Sequence, residues 1–217
     1  MQDVYRTLAE QLKKPSGELA IAMAEKMNEL NELINHISID ALNPSEGDTI
    51  LEVGMSNGFF VKNIFEKQSD IKYVGCDYSA KMVYEAKHIN ETLVKENKAE
   101  FIIADVIELP MGDKVFNKVL IVATLYYFED LNKVFSELRR VMQDHAQLVI
   151  SIRPRSVMEQ FGVAEFSDHM FSQEELLEFL ASHKFKVLNI SEHKERDVQI
   201  LEEDLPSSFI LVVAEKE

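Results

Sequence analysis

Three carboxylates, each at the end of an apolar run, carry the chemistry that can be read in this chain. Glu52 ends Thr49-Ile50-Leu51 and leads into Val53-Gly54-Met55-Ser56-Asn57-Gly58. Asp77 ends Ile71-Lys72-Tyr73-Val74-Gly75-Cys76, about nineteen residues past Gly58, and Asp105 ends Phe101-Ile102-Ile103-Ala104. A glycine-bounded turn lets the backbone approach a ligand where a Cβ would collide, and a helix opening after it presents unpaired N–H groups. An acid after the next strand can accept hydrogen bonds from both hydroxyls of a ribose and repels a 2′-phosphate. Together these groups predict a site for a nucleotide-type cofactor. A dinucleotide fingerprint needs glycines at relative positions one, three and six, and from Gly54 those positions hold Gly54, Ser56 and Phe59. No Gly-Lys-Ser/Thr follows, so a phosphate-cradling P-loop is also excluded.

The pattern acid-x-Gly-x-x-x-Gly resembles the first motif of class I S-adenosylmethionine-dependent methyltransferases, with Ser56 where the family usually has a middle glycine. A second departure is Asn117, where the family often has aspartate before its fourth strand. The resemblance covers roughly residues 46–217 and points to the small-molecule, methyltransferase type 11-like branch, which includes quinone-type enzymes. It implies S-adenosyl-L-methionine as cofactor, with Asp77 on the ribose, Asp105 on the adenine amine and the Val106 N–H on the ring. The implied cofactor-binding set is Glu52, Gly54, Met55, Ser56, Gly58, Asp77, Tyr78, Met82, Asp105, Val106 and Ala123. It also implies an acceptor site after the fourth strand, at Ala123-Thr124-Leu125-Tyr126-Tyr127-Phe128, with Tyr126 and Tyr127 as candidates. Asn31, beside the apolar stripe of the N-terminal helix, is a further acceptor-site candidate, as are His169 in the late loop and His36. The Asn-Pro-Pro-Tyr type motif of nucleobase and glutamine methyltransferases is absent there.

Methyl transfer is an in-line displacement from a sulfonium, so the protein's task is to align the acceptor and exclude water. A general base is needed only when the acceptor arrives protonated. The segment after the fourth strand carries no histidine, so no strong base is expected. The six histidines show no metal-ligand spacing and there is one cysteine, so no metal is expected.

Apolar runs of strand length alternate with helical periodicity, which predicts an α/β fold: a Rossmann-like, seven-stranded, mostly parallel sheet with an antiparallel last strand and helices on both faces. The remaining strands are expected at Lys118 to Val122, Gln147 to Ile152, Lys186 to Ile190 and Ser208 to Ala214, the final two as an antiparallel pair at the sheet edge. Leu131, Val134, Phe135, Leu138, Val141 and Met142 mark an amphipathic helix with Lys133, Glu137 and Arg140 facing out. Another starts at Ser172, where Ser172 and Glu175 fit a capping box.

Residues 1–45 read as an N-terminal helical cap, with Leu19, Met23, Met27, Leu30 and Ile34 as its apolar stripe, and residues 46–217 as the cofactor-binding domain. This cap and the segment 153–170 are where an acceptor pocket and lid are expected. Net charge is −15, from 23 basic and 38 acidic residues, which disfavours nucleic acid as a partner and favours a small molecule. No apolar run of about eighteen residues is present and the first residues lack a signal-peptide core, so a cytoplasmic protein with no membrane insertion is expected, as monomer or homodimer. Two other functions share the βαβ logic: a non-catalytic methyltransferase-like scaffold or regulatory subunit, and an NAD(P)-dependent oxidoreductase, for which no catalytic Tyr-x-x-x-Lys is suitably placed.

Overall fold

A computed structural model describes residues 16–17, 19–161, 167–200 and 203–217. Two helices come first, α1 (Leu19–Leu30) and α2 (Glu32–Leu42), followed by β1 (Thr49–Val53). Then follow α3 (Val61–Lys67), β2 (Lys72–Asp77), α4 (Ala80–Ile89), α5 (Glu91–Lys95), β3 (Ala99–Ile103) and β4 (Phe116–Val122). A short 3-10 turn, Leu125–Tyr127, leads to α6 (Leu131–Val141), β5 (Met142–Ile152), α7 (Arg155–Gln160) and α8 (Gln173–Ser182). The chain ends with β6 (Phe185–Lys194), β7 (Val198–Ile200), β8 (Glu203–Leu205) and β9 (Ser208–Lys216).

Seven strands form one sheet in the order β3-β2-β1-β4-β5-β9-β6, parallel except for β9, which runs antiparallel to both β5 and β6. The order reverses at β1, whose neighbours β2 and β4 lie on opposite sides. In open sheets that reversal opens a crevice beyond the strands' C-terminal ends, and ligands bind there. The expected antiparallel pair forms, but β9 lies inside the sheet and β6 is the edge, because β9 buries both flanks between partners. The connection between β6 and β9 also carries its own hairpin, β7–β8.

Successive strand residues alternate faces, which gives two cores. Leu51, Val119, Ile121, Leu148 and Ile150 face α6 and α8, while Ile50, Leu120 and Val149 face α2, α3 and α4. Leu131, Val134, Phe135, Leu138 and Val141 are all buried, as the periodicity requires, and Met142 begins β5 instead of ending the helix. Lys133 faces out as expected, whereas Glu137 is largely covered by its ion pair with Arg140. The capping box at Ser172 and Glu175 is present.

The N-terminal stripe is different from the one expected. The covered positions before the turn at Asn31 are Ala20 and Ala24, one residue on from the expected Leu19 and Met23. α1 buries Ala20 and Ala24 against Met82 of α4, small side chains allowing close approach, and leaves Leu19 60% exposed. α2 buries Ile34, Ile39 and Leu42 in the same core as Ile50, Leu120 and Phe209, as an ordinary sheet-covering helix. Residues 1–15 of the expected cap and 162–166 of the late loop lie outside the described residues.

Candidate active site

The first loop takes its shape from three left-handed residues. Gly54 has φ +74°, Ser56 +54° and Gly58 +66°. A Cβ on Gly54 would come within 2.6 Å of Thr124 Oγ1, so only glycine lets the loop after β4 close against the loop after β1. Gly58 does something else. Its missing Cβ makes room for Ala86 of α4, 2.9 Å from where that atom would stand, and its carbonyl accepts from Asn90 Nδ2 at 2.9 Å. The second glycine therefore packs α4 against the loop and does not face the cleft. Ser56 replaces a glycine at a left-handed position, where an L-residue is strained. Its backbone N–H donates to Asp77 Oδ2 at 3.0 Å and its hydroxyl approaches Met82 Sδ at 3.5 Å.

The three acids occupy three different environments. Glu52 is buried beneath the loop, where it accepts the Tyr73 hydroxyl at 2.6 Å. Gly75 makes this possible, since a Cβ there would stand 2.8 Å from Tyr73 Oη. Burial pushes the Glu52 carboxyl up to about 7, the Tyr73 hydrogen bond working against the rise. Asp77 sits at the cleft, accepting from the N–H groups of Ser56 and, at 2.8 Å, Ser79. Its carboxyl is pushed up to about 6 by burial, opposed by those two bonds. Asp105 lies two residues beyond the end of β3, in an exposed turn, and accepts the Ile107 N–H at 3.2 Å.

A cleft of about 280 Å³ opens at the C-terminal ends of β1, β2 and β4. It is lined by Gly54, Asp77, Tyr78, Asp105 and Val106 from the segments after β1, β2 and β3, and by Thr124, Tyr127, Phe128, Asp130 and Lys133 from the segment after β4 and the start of α6. Of the expected cofactor residues, Glu52, Met55 and Met82 are buried behind the loop, Ser56 and Gly58 shape it, and Ala123, at φ +50°, ends β4 with its N–H on the Ser151 carbonyl. Sequence reasoning passed over the α6 side of the cleft. Asp130 is an N-cap directly before the α6 pattern and accepts the Lys133 N–H. That capping signal could have placed the helix N-terminus there.

The acceptor candidates divide. Tyr127 lines the cleft, while Tyr126 is buried with its hydroxyl accepting the Arg153 N–H at 2.6 Å. Burial raises the Tyr126 phenol to about 12 and holds Tyr127 well above its ordinary value, so neither supplies a base near neutral pH. Asn31 does not line the cleft; its side chain accepts from Arg153 Nη1 at 2.9 Å. His169 Nε2 lies 3.4 Å from the Glu129 carbonyl and does not line the cleft, and His36 is exposed with its ring edge-on to Phe60. Among the described residues no group of three His, Cys, Asp or Glu is placed to hold a metal, and no helix is long and apolar enough to cross a membrane.

The family model of a methyltransferase domain matches residues 44–204, and the chain belongs to that family: it is a class I S-adenosylmethionine-dependent methyltransferase. It is 29% identical over 123 residues to YrhH, a candidate methyltransferase of Bacillus subtilis (strain 168), covering 57% of this chain and 67% of that protein. It is 25% identical over 146 residues to the demethylmenaquinone methyltransferase of Thermotoga maritima, covering 64% of this chain and 61% of that one. An S-adenosylmethionine-dependent methyltransferase structure from Aquifex aeolicus superposes with a TM-score of 0.68 at 19% identity, over 90% of this chain and 98% of that one. The cofactor is S-adenosylmethionine. The cleft fits it, with a half-buried carboxylate at the end of β2 and a glycine wall that no larger residue could form.

Proposed function

We propose that this methyltransferase acts on a small, non-anionic molecule that enters between the Tyr127-Phe128 segment and the cofactor. The single observation that carries the reading is the cleft at the sheet's reversal point, lined by Asp77 and Asp105 together with the aromatic side chains of Tyr127 and Phe128. Bound there, the cofactor supplies an electrophilic methyl group on a good leaving group. Asp77 would hold the ribose hydroxyls, and the turn at Asp105 and Val106 the adenine. Glu52 supports the loop from below, through Tyr73, and does not meet the ligand.

On the acceptor side, Tyr127 and Phe128 offer flat apolar surface and exclude water. The Tyr127 phenol stays protonated near neutral pH, so it can donate a hydrogen bond but cannot take a proton. The acceptor then arrives already nucleophilic or passes its proton to solvent. Asp77, Asp105, Glu129 and Asp130 outweigh Lys133, which itself pairs with Asp130 at 3.3 Å, and this disfavours an anionic acceptor. The likeness to a quinone-type relative supports an aromatic one. Residues 46–217 form the cofactor-binding part in this reading, α1 backs the first loop through Ala20, Ala24 and Met82 without lining the cleft, and the lone buried Cys76 suits a reducing cytoplasm.

Thermal shift decides between this and the two other classes. At a hundred times its dissociation constant a ligand stabilises by roughly 2.7 kcal/mol. S-adenosylmethionine and S-adenosylhomocysteine should raise the melting temperature and NAD(P)H should not. Turnover is then sought by following S-adenosylhomocysteine release against a panel of phenols, quinols, amines and carboxylates. Binding without turnover of any phenol, quinol or amine favours the scaffold reading, and turnover of a carboxylate would defeat the non-anionic assignment.

A further inference from the structure

Arg153, the first residue after β5, is buried and joins parts of the chain that are far apart in sequence. Its Nε and Nη2 donate to the two oxygens of Glu195 at 2.8 and 2.9 Å, a bidentate pair whose side chains are 10% and 4% exposed. Ser207 Oγ donates to the same Glu195 at 2.7 Å. The remaining guanidinium reach goes to the end of α1: Nη1 to Asn31 Oδ1 at 2.9 Å and Nη2 to the Leu30 carbonyl at 3.0 Å. Arg196, next to Glu195, takes the Glu29 carbonyl at 3.0 Å. Two guanidinium groups thus donate to the last carbonyls of α1, which a helix cannot satisfy by itself and where its dipole is negative.

The attachment of α1 elsewhere is slight. Ala20 and Ala24 touch Met82, and Leu19 and Ile21 stay exposed, so charge at one end does more to fix this helix than apolar packing along it. Met82 is also the residue that the Ser56 hydroxyl approaches in the cofactor loop. At its other side Arg153 donates its own N–H to Tyr126, whose neighbour Tyr127 lines the cleft.

We propose that Arg153 and Glu195 form a latch that positions α1 behind the first cofactor loop and fixes the turn bearing Tyr127, and that this latch sets how long the cofactor stays bound. Arg153 is a positioning residue: it reaches the site only through Asn31, α1 and Tyr126. The inference rests on the cofactor cleft assigned above. It gives the pair at Arg153 a function that folding alone does not require, because a buried ion pair is often replaceable by apolar residues without loss of stability.

The test uses the full chain and tritiated S-adenosylmethionine, with release measured by rapid filtration and affinity by calorimetry, beside hydrogen exchange across Leu19–Leu30. Arg153→Met combined with Glu195→Met removes both charges at once and leaves no lone buried ion. Its release should be about tenfold faster, the equivalent of one charged hydrogen bond, and α1 amides should exchange faster while the melting temperature holds. Ala24→Lys loosens the other attachment of α1, so adding it to the double variant should give less than the product of the two effects. Unchanged release in a folded double variant overturns the latch, and so does a fully multiplicative triple variant. If the double variant does not fold, Asn31→Ala removes one latch contact at small structural cost and is read by the same two outcomes. A wild-type chain that fails to bind the probe would sink the cofactor reading instead, and exchange across α1 would still decide whether the latch holds that helix.

Discussion

The backbone N–H of Ser56 donates to the Asp77 carboxylate at 3.0 Å, so the turn after β1 and the end of β2 form one unit. Asp77 therefore has two tasks: it holds the left-handed turn at Ser56 and, in the proposed reading, it presents a charged acceptor to the ribose. Asp77→Ala should weaken S-adenosylhomocysteine binding by about 1.5–3 kcal/mol, as expected for loss of a charged hydrogen-bond acceptor, while β1 and β2 stay paired. Calorimetry on the folded variant checks this, and unaltered affinity would reduce Asp77 to its loop-holding task.

Glu52 gives a pH-dependent prediction. Its carboxyl is pushed up to about 7 from an ordinary 4.5, burial being the cause and the Tyr73 bond opposing it. Between those values the folded chain keeps a proton that the unfolded chain has released, so stability falls as pH rises through the window and the full cost is present above it. Glu52→Gln retains an acceptor for Tyr73 and removes the charge. The variant should match wild type near the lower end of the window and exceed it by on the order of 3 kcal/mol at about pH 8. Urea denaturation at both pH values measures the difference; equal stability at the higher pH would mean that Glu52 ionises without penalty.

The two motif glycines should fail differently. Gly58→Ala forces a Cβ against Ala86 at a left-handed position and should cost about 1–3 kcal/mol of stability, with cofactor affinity falling only through the loosened loop. Gly54→Ala pushes on Thr124 at the cleft wall, so its main loss should be in cofactor binding. Melting curves with and without S-adenosylhomocysteine separate the two, and identical behaviour would contradict the assignment of Gly58 to packing.

The adjacent tyrosines offer a matched pair. Tyr126→Phe leaves the buried Arg153 N–H without its acceptor and should destabilise by about 1–3 kcal/mol. Tyr127→Phe should stay within about 0.5 kcal/mol of wild type in stability and show its effect in turnover. Denaturation midpoints of the two proteins test this, and the reverse ranking would exchange their roles.

The local signals in the sequence set the fold class and the position of the cleft. Strand-length apolar runs ending on Glu52, Asp77 and Asp105, with the glycine turn between the first two, locate three strand ends, because period-two burial and left-handed turns are properties of the chain nearby. The helix at Leu131–Val141 and the capping box at Ser172 are legible for the same reason. Only the tertiary structure decided which of these groups line the cleft. Glu52 and Asp77 have the same sequence signature, yet Tyr73 and the gap at Gly75 draw one into the core while the other meets the cleft. Gly58 belongs to α4 because Ala86 and Asn90 come close to it in space, and Asn31 belongs to Arg153, 122 residues away. Burial and ion pairing depend on partners distant along the chain, and no local pattern around a single residue records them.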